Sequence, residues 1–146
     1  VANLGFQGPA DLTLDGKGRV AMPARHREVL SAMGATKLTI TKHPDGCLLV
    51  FPPAAWEDFA ARVMALPMES IGWRRLFLGN ATEVELDGSS RMLIAPALKE
   101  YADLSRDVYM LGMGSCLEMW DKRRYLEQET TVRSTPMPES VRNFIL

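Results

Sequence analysis

Short apolar runs along the chain alternate with breaks rich in Gly, Pro and Asp, and the whole series occurs twice. LTL (12–14) and RVAMP (19–23) flank DGKG, whose two glycines admit positive φ, so a tight bend between two strands is predicted. Pro23 suits the first turn of a helix, and ARHREVLSAM behind it places Val29, Leu30 and Met33 on one face. KLTITK (37–42) stops at HPDG, and CLLVF (47–51) then runs apolar to Pro52, a second hairpin. AAWEDFAARVMAL sets Trp56, Phe59, Ala60, Val63 and Met64 at helical spacing, a core-facing helix ended by Pro67. ESIGWRRLFLGN is predicted helical from Glu69 to Leu78, with Gly79 or Asn80 as the stop. The order then restarts as EVEL, DGSS, RMLIA, PALKEYADL, DVYMLGM, CLEMW and DKRRYLEQE.

The repeat holds residue by residue. At an offset of 72, five of seventeen positions from 14 to 30 are identical: Leu14/Leu86, Asp15/Asp87, Gly16/Gly88, Arg19/Arg91 and Glu28/Glu100. Chance gives about one. Further on the offset is 69, pairing Cys47 with Cys116, Leu48 with Leu117, Phe51 with Trp120 and Trp56 with Tyr125, which places a three-residue deletion near Thr41 to Gly46. Each half is too small to bury a stable face alone, so the copies are expected to interlock into one α+β core with approximate two-fold symmetry and neighbouring Asp-Gly bends. The organisation predicted is a first half over 1–68, a connecting helix over 69–83, a second half over 84–132 and a tail over 133–146. That tail, RSTPMPESVRNFIL, ends in an apolar VRNFIL expected to pack on the domain.

Bulk properties narrow the function. The 146 residues are 47% hydrophobic and 24% charged, the balance of one folded domain, and no apolar run reaches the length of a membrane span. With no secretory layout at the amino terminus, the cytoplasm is the expected address. Cys47 and Cys116 each sit in an apolar, strand-like run and are expected as buried free thiols. Net charge is −1, so there is no global attraction to nucleic acid, yet Lys17, Arg19, Arg25 and Arg27 fall within eleven residues that hold no acid. No enzyme signature is present. GKG lacks the spacing of a phosphate loop, DGKG and DGSS lack that of a calcium loop, and His26 and His43 belong to no zinc array. Trp56, Phe59, Trp73, Phe77 and Trp120 are expected as core or subunit contacts, and no cofactor or small-molecule substrate is called for.

The bends carry the candidate chemistry. Arg19 and Arg91, beyond a glycine-containing turn, can project a planar fork that takes a guanine edge or a phosphate, and Asp15 and Asp87 four positions earlier can aim it. Each Asp-Arg pair can instead simply tie its bend or lock one half to the other, which is the reading the residues themselves favour at Arg91. Lys17 at the tip suits phosphate, and Arg25 and Arg27 add to one cluster with it unless they only solvate their helix.

FQG near the start, DGKGRVAMPARHRE, LFLGNATEVELDGSSR and the tandem Asp-x-x-x-Arg bends together resemble the MraZ family of the AbrB-like superfamily, over essentially the whole chain. The resemblance implies a swapped-hairpin β-barrel of two AbrB-like halves with peripheral helices. It also implies a homo-oligomeric ring that binds short direct repeats in promoter double-stranded DNA and regulates the division and cell-wall gene cluster from the nucleoid. Its signature aspartates fall on Asp15 and Asp87 and its arginines on Arg19 and Arg91, while Ala97 and Leu98 replace Arg25 and His26 in the second copy. A protein-interaction module of antitoxin type is the competing expectation.

Overall fold

The computed structural model describes residues 5–145. The first half runs β1 (Phe6–Thr13), β2 (Arg19–Ala21), α1 (Ala24–Ala32), β3 (Lys37–Lys42), β4 (Leu48–Phe51) and α2 (Pro53–Met64). A 3-10 turn, Met68–Ser70, and α3 (Ile71–Phe77) lead to the second half: β5 (Thr82–Glu85), β6 (Arg91–Leu93), α4 (Pro96–Tyr101), β7 (Asp107–Gly114), β8 (Leu117–Asp121) and α5 (Lys122–Ser134). Helix α6 (Glu139–Ile145) follows.

The strands form an antiparallel six-stranded sheet, β1-β7-β8-β4-β3-β5, and a separate antiparallel ribbon, β2-β6. Exchanging every strand for its counterpart in the other half reverses this order and leaves it unchanged, which is the two-fold relation expected from the repeat. The halves interlock through their first strands: β1 pairs with β7 and β5 with β3, each in the opposite half. The class is α+β as expected, whereas the closed barrel is not what the pairing gives. β1 and β5 are open edges that do not pair with each other.

One core joins sheet and ribbon. Leu38, Ile40, Leu48, Val50, Val108, Met110, Leu117 and Met119 of the sheet meet Val20 and Met92 of the ribbon and Leu30 and Leu98 of the helices. Burying each such side chain contributes about 1.5–3 kcal/mol, so the ribbon is held to the body by its inner face.

Several sequence expectations change, among them Met64, which is exposed although placed on the core-facing side of α2, and Cys116, which is only partly buried. Strand β1 begins at Phe6, not Leu12, because Gly8 and Pro9 disguise it; an edge strand, paired on one side only, tolerates a residue that cannot donate. The register shift between copies arises in the helices, since α1 has 9 residues and α4 has 6, and not only in the loop after Thr41. The buried face of α1 is His26 and Leu30, four apart, while Met33 is exposed. Finally, Phe144 in α6 is 77% exposed, so the tail does not bury its aromatic group against the domain. The connecting helix ends as expected, with Asn80 Nδ2 donating to the carbonyls of Arg75 (2.9 Å) and Leu76 (3.2 Å).

Candidate nucleic-acid interface

Each bend is a three-residue loop closed by its own aspartate. In the first, the Asp15 N–H donates to the Arg19 carbonyl (3.0 Å) and the Asp15 carbonyl accepts from the Gly18 N–H (3.0 Å). Gly18, at φ +82°, supplies the left-handed residue such a loop needs before the chain re-enters a strand. Asp15 Oδ1 accepts from the N–H groups of Lys17 (2.9 Å) and Arg19 (2.9 Å), and Oδ2 accepts from Arg19 Nε (2.8 Å). The second bend repeats every contact. Asp87 Oδ1 accepts from the N–H groups of Ser89 (2.8 Å) and Arg91 (3.0 Å), and Oδ2 from Arg91 Nε (3.0 Å). In both cases the N–H of the bend's own arginine, chiefly, with the other N–H and the guanidinium, holds the carboxyl below its ordinary value.

The ribbon fixes where the arginines point. Arg19 lies opposite Leu93, Val20 opposite Met92 and Ala21 opposite Arg91. The Met22 N–H donates to the Ser90 carbonyl (2.8 Å) and the Ile94 N–H to the Gly18 carbonyl (2.8 Å), so each bend is sewn to the strand leaving the other. Because alternate residues face opposite ways, the buried Val20 and Met92 put Arg19, Ala21, Arg91 and Leu93 together on the outer face. Both guanidinium side chains are part-exposed, at 27% and 34%. Each spends its Nε on aspartate, and among the described residues neither donates from its Nη pair. What is left is two oriented forks with their bidentate ends unengaged.

The other predicted basic residues sit on the first bend and on α1. Lys17 is exposed at the tip of the first bend. Arg25 turns away and donates from Nη2 to the Pro9 carbonyl (2.8 Å), covering part of edge strand β1. Arg27 lines a surface depression of about 430 Å3 that Leu86 and Ser90 of the second bend also line. Lys17 thus belongs to the first bend, while Arg25 and Arg27 are carried by α1, one bonded to β1 and the other lining a depression shared with the second bend.

Two residues of this region escaped the sequence reading. Arg106 accepts the Leu14 N–H at its carbonyl (2.9 Å), directly before the first bend, a proximity set by the strand exchange that linear spacing does not reveal. Leu93, exposed on the outer face opposite Arg19, stood within an apolar RMLIA that read only as strand. His26, expected only not to be a ligand, is fully buried edge-on to Phe6 at 5.7 Å, with neither ring nitrogen hydrogen-bonded among the described residues. Its removal from water, and secondarily Arg25, push its pKa down. The alignment with Leu98 was the available signal for a core position.

Comparison with known proteins covers both halves. A family model described as "MraZ protein, putative antitoxin-like" matches residues 6–76 and again 77–143. A protein of Methylibium petroleiphilum named "Transcriptional regulator MraZ" is 54% identical over 144 residues, 99% of each chain. Proteins of the same name from Leptothrix cholodnii and Cupriavidus taiwanensis are 51% and 50% identical over 144 and 139 residues, covering 99% and 95% of this chain and 99% and 98% of their own.

Proposed function

The chain belongs to the MraZ family, and on that premise we propose that it is a transcriptional regulator, not an enzyme, which binds promoter double-stranded DNA in a sequence-specific way. The observation that carries this reading is the pair of unengaged guanidinium ends on the outer face of one ribbon. A two-stranded ribbon fits the major groove, and an arginine there reads guanine through two parallel hydrogen bonds. Arg19 and Arg91 stand diagonally across the ribbon, with Cα atoms about 7–8 Å apart, and so address different bases.

Within this reading the aspartates are positioning residues. Asp15 and Asp87 spend both carboxylate oxygens on their own bend and would repel phosphate if turned outward. Lys17 meets backbone phosphate beside the first bend, Arg27 beside the second, and Arg25 flanks them at the β1 edge. The finer fold reading, a swapped-hairpin barrel, rests on the ribbon sharing the core of the open sheet.

One ribbon offers few contacts and a net charge of −1 gives little steering, so affinity must come from repetition. A homo-oligomeric ring of subunits facing short direct repeats, upstream of the division and cell-wall genes it regulates, makes later contacts intramolecular and raises avidity by roughly 10² to 10⁴. This places the protein on the nucleoid in the cytoplasm. Gel-shift titration of upstream DNA carrying one repeat against several tests it: affinity should climb steeply with repeat number, and equal affinity defeats the avidity mechanism. A second reading, an antitoxin-like partner module, is favoured by the exposed Val132, Met137 and Phe144 near the carboxyl end. Removing residues 135–146 would abolish that function and leave DNA binding by the ribbon intact.

A further inference from the structure

Leu93 is 56% exposed, yet it is the residue of the ribbon that stands directly opposite Arg19. It cannot serve the core, because the inner face is occupied by Val20 and Met92. Its side chain leans across the ribbon toward the first bend: a Cβ built on Gly18 would lie 3.9 Å from Leu93 Cδ1. Single exposed leucines are ordinary on protein surfaces. This one is distinguished by its setting, an apolar group on a narrow face whose other large side chains are the two arginine forks. Its two-fold counterpart is Ala21, opposite Arg91, so the face carries one large and one small apolar group in otherwise equivalent places.

In the major groove, the apolar feature that a protein can read is the C5-methyl group of thymine. We propose that Leu93 is a specificity-determining residue which packs on a thymine methyl next to the base read by Arg19, so that one half of the ribbon adds an apolar contact to its arginine fork and the other half, with Ala21 opposite Arg91, does not. This rests on the ribbon being the DNA-reading face. The asymmetry gives it direction. Leu93 reaches a methyl that Ala21 is too short to reach, so the arginine-plus-thymine element is oriented along the DNA and suits direct repeats, which have a polarity, over palindromes.

The test replaces thymine by uracil, which differs only in lacking the methyl, one position at a time within the upstream repeats. Wild-type protein and Leu93→Ala are titrated on each duplex by fluorescence anisotropy. Wild type should lose about four-fold in affinity at one thymine of each repeat, the worth of one methyl group, and Leu93→Ala should bind the two duplexes alike while melting as wild type does. If wild type binds uracil and thymine DNA equally at every position, or if Leu93→Ala still distinguishes them, the contact is overturned and DNA binding stands. Failure of wild type to bind any upstream duplex would instead remove the DNA-reading ribbon itself. The uracil arm needs no variant, so a Leu93→Ala chain that misfolds does not shield the proposal.

Discussion

The two bends have the same hydrogen-bonded frame and different surroundings. Around Asp15 and around Asp87 the carboxylate takes the same two N–H groups and the same Nε, and both arginines leave the ribbon on the same face. The tips diverge: Lys17 and Gly18 in one, Ser89 and Ser90 in the other, with Arg27 of the opposite half beside Ser90. A bend built this way needs the aspartate for its geometry and the arginine for its reach, while the residues between are open to change. The second bend lacks its own tip cation and stands next to a borrowed one.

The largest effect should separate reading from folding. Arg19→Ala and Arg91→Ala each remove one fork, and each should cost about 1–3 kcal/mol of discrimination between repeat and unrelated DNA, multiplied where several subunits engage. Melting temperature should hardly move, because both ion pairs are part-exposed. A specificity loss from only one variant would show that the equal frames do unequal work, and loss from neither would make both pairs structural.

A comparable effect, this time on stability, lies behind the bends. His26 occupies the place taken by Leu98 in the other half, fully buried with neither nitrogen hydrogen-bonded among the described residues, a defect of about 1–3 kcal/mol. His26→Leu should therefore stabilise the fold by an amount of that order in urea titration. The pH dependence has a definite sign. With its folded pKa below the ordinary value, His26 adds no pH-dependent cost above about pH 6.5, and stability falls as pH drops from there toward the folded pKa, because the unfolded chain takes the proton more readily. His26→Leu should flatten that slope; an unchanged slope would place the titrating group elsewhere.

These contrasts show what the one-dimensional pattern could carry. The duplicated Leu-Asp-Gly-x-x-Arg located both bends, because the demands of such a loop are local: an acceptor at its start and a left-handed residue near its end. The exchange of first strands was hidden, since β1 to β7 and β5 to β3 are long-range pairings with no local signature, and Gly8 and Pro9 masked half of β1. The nearness of Arg27 to a depression shared with the second bend was hidden for the same reason. Once the halves cross, α1 belongs beside the other bend. His26 was legible in principle from its alignment with Leu98, but a histidine with an arginine on each side, Arg25 and Arg27, reads as surface.

Backbone strain gives the next contrast. Gly18 and Ser90 hold the same left-handed position, at φ +82° and +59°, and only the first is glycine. For an L-residue that conformation costs roughly 1–2 kcal/mol. Ser90→Gly should stabilise the protein by about 1 kcal/mol. Gly18→Ala should destabilise it by a similar amount through φ alone, since an added Cβ would meet nothing closer than 3.6 Å. If Ser90→Gly instead weakens DNA binding with no gain in stability, the serine hydroxyl contacts the ligand and the strain is retained for function.

The smallest effect tests whether the tips differ in the way their charges imply. Lys17→Ser makes the first tip resemble the second. One ammonium beside phosphate displaces about one counterion, so the slope of log K against log salt should fall by about 0.9 per engaged subunit, with the preference between repeat and unrelated DNA unchanged. Arg27→Ser should produce the same signature if its place beside Ser90 makes it the second bend's substitute for the missing lysine. The double variant decides between shared and separate roles. Additive losses of slope mean that two bends touch backbone at two places on the DNA, whereas a double variant no worse than Lys17→Ser alone means that only the first bend is anchored and the second reads bases without a phosphate contact of its own.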